Sequence, residues 1–171
     1  GDTEQTLTPA CHEDMEAEAN FAAGQLLFMS DRFRDEAAAT QPSIENVRML
    51  STRFGNTHTS TLWRFVEHGH PDRPMVAMVT GHPHRSRRKP DFDRANPCRY
   101  CVESPSFRDH FGHLTEVQLF ANVAGYCGAQ SGGMLGASEI ELADRNGVIH
   151  RFFFETFFNR HEALTLGCCL E

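Results

Sequence analysis

The first long apolar pattern in the chain has the period of an α-helix. Between Met15 and Phe33, apolar side chains recur every three or four residues, which predicts one buried face on a helix that begins near Glu13. This stripe consists of Met15, Ala19, Ala22, Leu26, Met29 and Phe33. The alanines after Glu36 favour continuation of the helix, and Pro42 predicts its end before that residue.

Two shorter helices are predicted after Pro42. One covers residues 43–53 and ends at Gly55, since glycine is common just past a helix C-terminus. The next covers residues 57–67, with Thr57 as the N-terminal cap because its hydroxyl can accept a backbone N–H. The apolar spacing predicts burial of Ile44, Val47 and Leu50 in the first helix and of Leu62, Phe65 and Val66 in the second.

Beyond HGHPDRP, residues 68–74, the pattern changes from helical to extended. MVAMVTG, residues 75–81, is typical of a short buried strand. Residues 82–97 are polar and predict a long loop. SPSFRDHF, residues 104–111, predicts one or two helical turns with Pro105 at the first helical position.

The last third of the chain predicts a β-hairpin. Ile140 and Leu142 alternate with glutamates, Asn146-Gly147 predicts a type I′ turn, and residues 148–158 form the returning strand. Five phenylalanines, at 152–154 and 157–158, predict that this strand is buried on both faces. The segment before the hairpin, residues 115–126, fits a helix or a strand.

These elements together predict an α+β fold with two parts. Residues 1–67 form a helical part, and residues 74–171 form an antiparallel sheet with one or two helices. The change in charge and in Gly/Pro content at residues 68–74 marks the predicted boundary.

Composition limits the classes of function. The chain has 171 residues, of which 40% are hydrophobic and 23% charged, as expected for a globular protein with a core. A net charge of −7 makes nucleic acid an unlikely partner and disfavours an anionic membrane surface. No apolar run is long enough to span a membrane, and the polar first ten residues show no signal peptide. We therefore expect a cytoplasmic protein in which the six cysteines are reduced thiols.

Cysteine and histidine pairs suggest a structural zinc site. Cys98-x-x-Cys101 precedes His110-x-x-His113, a Cys₂His₂ set whose central spacing is shorter than that of a zinc finger. The interpretation that we favour over this site is that the two cysteines serve as small buried apolar residues, and a redox pair is a further alternative.

A basic loop and an aromatic strand are further candidates. HPHRSRRKP, residues 82–90, carries four cations, interpreted as a solvated loop with phosphate binding as the alternative. Phe152, Phe154 and Phe157 could form a ligand pocket or an interface, because so much aromatic surface has to be covered. The N-terminal helices could cover it within one chain, but we expect a homodimer.

Residues 16–27, EAEANFAAGQLL, carry a resemblance to a known family. This segment resembles the helix that follows the H-E-x-x-H helix in the ImmA/IrrE family of zinc metallopeptidases, with its Phe-Ala pair shifted by one position. Further along, Phe54, Thr57, Ser60, Arg64 and Phe65 fill positions with similar residues in that family. The likeness covers about two fifths of the chain, an extent consistent with one part of a two-part protein.

The resemblance implies that the full-length parent binds zinc and acts on a helix-turn-helix repressor. It implies Glu18, or alternatively Glu16, as the third zinc ligand, with two histidines and a general base supplied from upstream. The chain contains no H-E-x-x-H, so we expect no peptidase activity from it. The leading interpretation is the C-terminal part of a zinc-metallopeptidase-type transcriptional regulator with a sensor-like second part. The alternatives are a stand-alone ligand-sensing or dimerisation module, or a small structural zinc protein.

Overall fold

The computed structural model describes residues 31–170. The predicted helix from Glu13 to Met29 and the predicted zinc ligand, Glu18 or Glu16, lie outside the described residues.

Among the described residues, three helices precede the sheet. The second lies within one residue of the helix predicted at 43–53, and the third starts at its predicted cap but ends as an α-helix at Arg64, three residues before the predicted end. The helices are α1 (Asp31–Ala38), α2 (Ile44–Phe54) and α3 (His58–Arg64), and α3 continues as a π-helical turn (Phe65–Gly69). Ser43 and Thr57 cap α2 and α3 by accepting backbone N–H groups of the first turn. Gly55 ends α2 in the left-handed conformation at φ +67°, which glycine adopts without a steric penalty.

Five antiparallel strands form one sheet. The strands are β1 (Met75–Thr80), β2 (Cys98–Glu103), β3 (Gly133–Ala143), β4 (Ile149–Phe158) and β5 (Ala163–Cys169). Their order is β2-β1-β5-β4-β3. The predicted strand at residues 75–81 is therefore central and buried along its whole length. β2 was not predicted, because its sequence CRYCVE has neither clean alternation nor a continuous apolar run.

Two helices lie between β2 and β3 in the chain. The first, α4 (Pro105–Phe111), starts with Pro105 as predicted, and Ser104 is its N-cap. The ambiguous segment is a helix, α5 (Glu116–Tyr126), which begins with a capping box formed by Thr115 and Gln118.

Each face of the sheet carries its own core, so the molecule has three layers. The first core joins α1–α3 to the sheet and includes Phe33, Ile44, Leu50, Leu62, Phe65, Met75, Ala77, Leu164 and Leu166. The second joins α4 and α5 to the other face and includes Met78, Phe107, Phe111, Leu119, Val123, Leu135, Phe152 and Phe154. The predicted boundary at residues 68–74 lies between the π-helical turn and β1, and the helices before it share a core with the strands after it.

The aromatic strand β4 is buried unequally on its two faces. Phe152 and Phe154 are fully buried against α4 and β3, so neither reaches a surface in the described fold. Phe157 is half-buried against the first core, and Phe153 is 38% exposed. The prediction that the strand is buried on both faces is therefore wrong at Phe153, because the helices α1–α3 do not extend over that part of the sheet.

The predicted hairpin between β3 and β4 is present, but its turn is of another type. Asp144 O accepts from Gly147 N at 2.9 Å, and Asp144 Oδ1 accepts from the N–H groups of Asn146 and Val148. Gly147 has φ +80°, whereas Asn146 does not have positive φ. A type I′ turn needs positive φ at both central residues, so this loop is a type I turn closed by a glycine bulge.

The observed architecture confirms the α+β fold class.

None of the helices within residues 31–170 combines the length and the apolar character needed to cross a membrane.

Candidate functional site

The strand register brings several loops together at one end of the sheet. Phe158 pairs with both Gly133 and Ala163, and Thr80 pairs with Ala163. The β4–β5 turn, the start of β3 and the loop after β1 therefore meet at this end. His82 links two of these loops, because its Nε2–H donates to Gln130 O at 2.8 Å.

A cavity of about 450 Å³ opens between α3, the β4–β5 turn and the start of β3, and we call it the basic pocket. Its lining consists of His58, Ser131, Gly132, Gly133, Phe157, Phe158, Asn159 and Arg160. This volume lies within the range of small-molecule sites.

Arg160 is held at the pocket in an unusual backbone conformation. Its φ of 79° is the only positive value among the non-glycine residues that the structure describes. Asn159 fixes the turn by accepting the N–H groups of His161 and Glu162 through Oδ1, at 3.0 and 2.8 Å. A backbone in this region costs on the order of 1 kcal/mol and persists only where the surroundings impose it. Such outliers concentrate at functional sites, which singles out Arg160.

His58 and Arg48 add positive charge around one aromatic ring. The guanidinium carbon of Arg48 lies 4.4 Å from the centroid of the Phe157 ring, and His58 meets the same ring edge-on at 6.0 Å. Burial lowers the pKa of His58, and the neighbouring charge of Arg48 lowers it further. The imidazole is therefore uncharged at neutral pH and can take up a proton when an anion binds nearby.

The electrostatics of the pocket contrast with those of the whole chain. None of the lining residues is acidic, while the chain carries a net charge of −7. Within the part of the chain that the structure describes, Arg160 has no ion-pair partner. Arginine and the N–H groups of a Gly-Gly segment are typical ligands of anions, and Phe157 and Phe158 offer ring surfaces. The arrangement suits a small anion that carries a flat apolar group.

The basic loop before β2 is anchored to the body of the protein at two arginines. Arg87 Nε donates to Ala129 O at 2.9 Å, and Arg88 Nε and Nη2 both donate to Pro83 O. The Arg88 guanidinium also stacks on Phe92 and Phe120, with its carbon 4.8 and 5.3 Å from the ring centroids. These two arginines therefore position the loop at the pocket end of the sheet.

Cys98 and Cys101 lie on the same face of β2. The register shifts by one residue between Val79 and Thr80, so that Thr80 faces Cys98, and this irregularity brings both thiols against the second core. Burial raises the pKa of Cys101 to about 12 and that of Cys98 well above its usual range, and Glu116 accepts a hydrogen bond from Cys98. Protonated thiols are weak nucleophiles, so this pair has the character of buried apolar residues.

The two histidines of the predicted zinc site follow Ser104 in the chain, whereas the two cysteines precede it on β2. His110 is exposed in the last turn of α4, and His113 is exposed just beyond that helix. No group of three or more His, Cys, Asp or Glu side chains within residues 31–170 is arranged to hold a metal ion. The Cys₂His₂ site remains a prediction, which the metal content of the purified protein tests.

A larger, open groove of about 620 Å³ lies at the opposite end of the sheet. It runs along the α1–α2 connection and the segment from Gly69 to Pro74. Its cation, Arg73, already donates through Nε and Nη2 to Cys169 O, at 3.2 and 3.0 Å. The positive charge of Arg73 in this groove is therefore less available to a ligand than that of Arg160 in the basic pocket.

No sequence pattern indicates the basic pocket. His58 and Arg160 are far apart in the chain, and neither belongs to a motif with recognisable spacing. The local signal near Arg160 is the turn-forming Asn159, which does not predict positive φ at its neighbour. Phe157, predicted as a ligand or interface residue, is the one candidate that lines the pocket.

Comparisons with known proteins identify no family. No family model and no curated protein matches the chain. Among solved structures, a Mycobacterium tuberculosis transcriptional regulator is similar to this chain, with 16% sequence identity and a TM-score of 0.47. The match covers 98% of this chain and 55% of that one, so this chain spans about half the length of that protein. A likeness this distant carries no argument about fold or function.

Proposed function

We propose that this chain is a ligand-sensing domain of a regulatory protein, and that its ligand is a small anion with a flat apolar group bound in the basic pocket. The observation that carries the proposal is a cavity in an acidic protein that is lined by His58 and Arg160 and by no acidic residue, with the Arg48 guanidinium against the ring of its lining residue Phe157. Arg160 supplies the charge, and Phe157 supplies the apolar contact.

The pocket has the construction expected of a sensor. It lies where α3 meets the β4–β5 turn and the segment that enters β3, so a bound ligand contacts several elements at once. A ligand that bridges elements stabilises their closed arrangement in proportion to its affinity, and this differential binding is what a sensor uses.

We further propose that the regulated process is transcription, with a helix-turn-helix repressor as partner and a zinc-peptidase ancestry for residues 1–67. The support is the similarity of residues 16–27 to the ImmA/IrrE helix, in which Glu18 or Glu16 corresponds to a zinc ligand. Zinc would then belong to the full-length parent. An H-E-x-x-H within roughly 40 residues upstream of Asp2 would favour this ancestry over a stand-alone sensing module.

Calorimetric titration with benzenesulfonate tests the pocket. This probe has a permanent negative charge and a flat ring, and benzyl alcohol is its uncharged counterpart. We expect binding of benzenesulfonate and much weaker binding of benzyl alcohol. Arg160→Ala should weaken benzenesulfonate binding by roughly tenfold or more, because hydrogen bonds to charged groups contribute about 1.5–3 kcal/mol.

The matched control removes a cation elsewhere. Arg34 is exposed on α1 and pairs with Asp31 at 2.7 Å, so Arg34→Ala changes the net charge equally without touching the pocket. We expect its affinity for benzenesulfonate to equal that of the wild type. Equal losses in the two variants, or none in Arg160→Ala, would contradict the proposal.

A further inference from the structure

The helices α1–α3 leave part of one sheet face uncovered. We call this part the open face; it consists of Met134, Ala137, Glu139, Glu141 and Ala143 on β3 and Ile149, Arg151 and Phe153 on β4. Cross-strand pairs such as Glu139 with Phe153 place these residues on the side of α1–α3. Phe153 is 38% exposed, Met134 45% and Ile149 58%.

The helical layer α1–α3 covers β4 at Glu155 and Phe157 but not at Phe153. Glu155 accepts a hydrogen bond from the Ile44 N–H at the start of α2, and Phe157 packs against the first core. Phe153 borders a small cavity of about 170 Å³ beside Pro42 and Leu166, at the margin of the helical layer. The open face is therefore continuous with the protein's own core and is not a set of scattered surface residues.

β3 is one of the two edge strands of the described sheet, and its eleven residues have no strand partner on the outer side within the described chain. A long open edge favours pairing with other chains, and charged residues are a usual means of preventing it. If two β3 strands paired antiparallel about Ile140, Glu139 of each strand would face Glu141 of the other, and these like charges would repel. The edge of β3 is thus protected against pairing with another strand, and a partner is accommodated more favourably on the open face.

The charges on the open face have both signs. Arg151 Nη1 lies 3.3 Å from Glu139 Oε2, whereas Glu141 has no ion pair among residues 31–170. Glu141 also sits directly across from Arg151 in the β3–β4 register. A two-fold interface brings each residue of a patch against another residue of the same patch, so a mixed-sign patch complements itself.

We propose that the open face binds a second copy of this chain about a two-fold axis. Phe153 packs near the axis, Ile149 and Met134 flank it, and Arg151 of one protomer pairs with Glu141 of the other. This contact covers the exposed aromatic residue and gives the unpaired glutamate a partner.

The size of the face sets the strength of this dimer. About ten residues of β3 and five of β4, at roughly 3.3 Å per residue and 4.8 Å between strands, offer about 240 Å². A standard interface buries about 800 Å² per partner. The open face supplies about 30% of that area, so we expect a weak, reversible dimer with a dissociation constant in the micromolar range.

Sedimentation velocity of the full 171-residue chain between about 1 and 200 µM tests the dimer, since this range brackets micromolar dissociation. The mass should rise from 19.3 kDa toward twice that value as concentration increases. Phe153→Lys should keep the chain monomeric throughout. The matched control is Val117→Lys, because Val117 is 43% exposed on α5 on the other side of the sheet, and this variant should dimerise like the wild type.

A charge exchange tests the proposed ion pair separately. Glu141→Arg and Arg151→Glu should each weaken the dimer about tenfold or more, and the double variant should recover most of the loss. Circular dichroism of each variant shows whether the fold is intact. A wild type that stays monomeric, a folded Phe153→Lys variant that still dimerises, a dimer lost in Val117→Lys, or a double variant without recovery would overturn the proposal.

Discussion

The lowered pKa of His58 predicts a pH dependence for ligand binding. Burial and the Arg48 charge keep the imidazole neutral in the empty pocket, whereas a bound anion favours the imidazolium and raises its pKa. Binding is then coupled to proton uptake, and affinity for benzenesulfonate should increase as the pH falls from about 8 to about 5. The sulfonate keeps one charge over this range, so the trend reports on the protein.

Calorimetry in buffers of different ionisation enthalpy measures this proton uptake directly. His58→Gln should bind benzenesulfonate with an affinity that varies little between the same pH limits. A His58→Gln variant with the wild-type pH dependence would assign the titration to another group.

At the level of elements, the packing of β4 on β5 depends on a glycine. A Cβ atom on Gly167 would lie 2.5 Å from two carbons of the Phe154 ring, which is fully buried and cannot move aside. Gly167→Ala should therefore lower the free energy of unfolding by roughly 1–3 kcal/mol, the usual cost of overpacking a core. Urea denaturation measures the change.

Gly125→Ala is the matched control for this substitution. Gly125 is exposed near the end of α5, and a Cβ there meets no atom within 4 Å. Alanine is the better helix former, so this variant should be as stable as the wild type or more stable by up to about 1 kcal/mol. If both variants lost stability equally, the close approach of Phe154 to β5 would not be the cause.

The elements that the sequence predicted are those with local signals. Ser43 precedes a 3.6-residue apolar period, Thr57 precedes another, and Pro105 follows a capping serine, so the starts of α2, α3 and α4 are predicted to within one residue, whereas the end of α3 differs by three. β2 escaped prediction because the irregularity beside Cys98 disrupts its alternation. The basic pocket was not predicted because its residues come together only through the strand register, and no local sequence pattern indicates that they are close in space.

At the level of the whole molecule, the two cores share the central strands. Alternate residues of β1 belong to different cores, with Ala77 in the first and Met78 in the second. A loss of packing in either core therefore acts on the same strand. We expect the chain to unfold in one cooperative transition, although its sequence predicts two parts, 1–67 and 74–171.

Leu50→Ala and Leu119→Ala test this expectation, because each removes a fully buried side chain from one core only. Both should lower stability by about 2–5 kcal/mol. Fluorescence of Trp63, the only tryptophan, and far-ultraviolet circular dichroism should give coincident transitions in both variants. Separate transitions by the two probes would show that the helical part unfolds independently.

The strand order also has a consequence for synthesis on the ribosome. β5 comes last among the described strands, yet it lies at the centre of the sheet, and the β1–β2 pair and the β3–β4 hairpin are joined only through it. Each pair can form as soon as its own residues leave the exit tunnel, but the inner edges of β1 and β4 stay open until residues 163–169 emerge. Nascent chains close together on one messenger would expose these edges to each other at that stage. Any delay between the emergence of residues 149–158 and that of residues 163–169 would prolong this exposure, so the yield of native protein should be more sensitive to a delay at that stage than to one while α2 and α3 emerge.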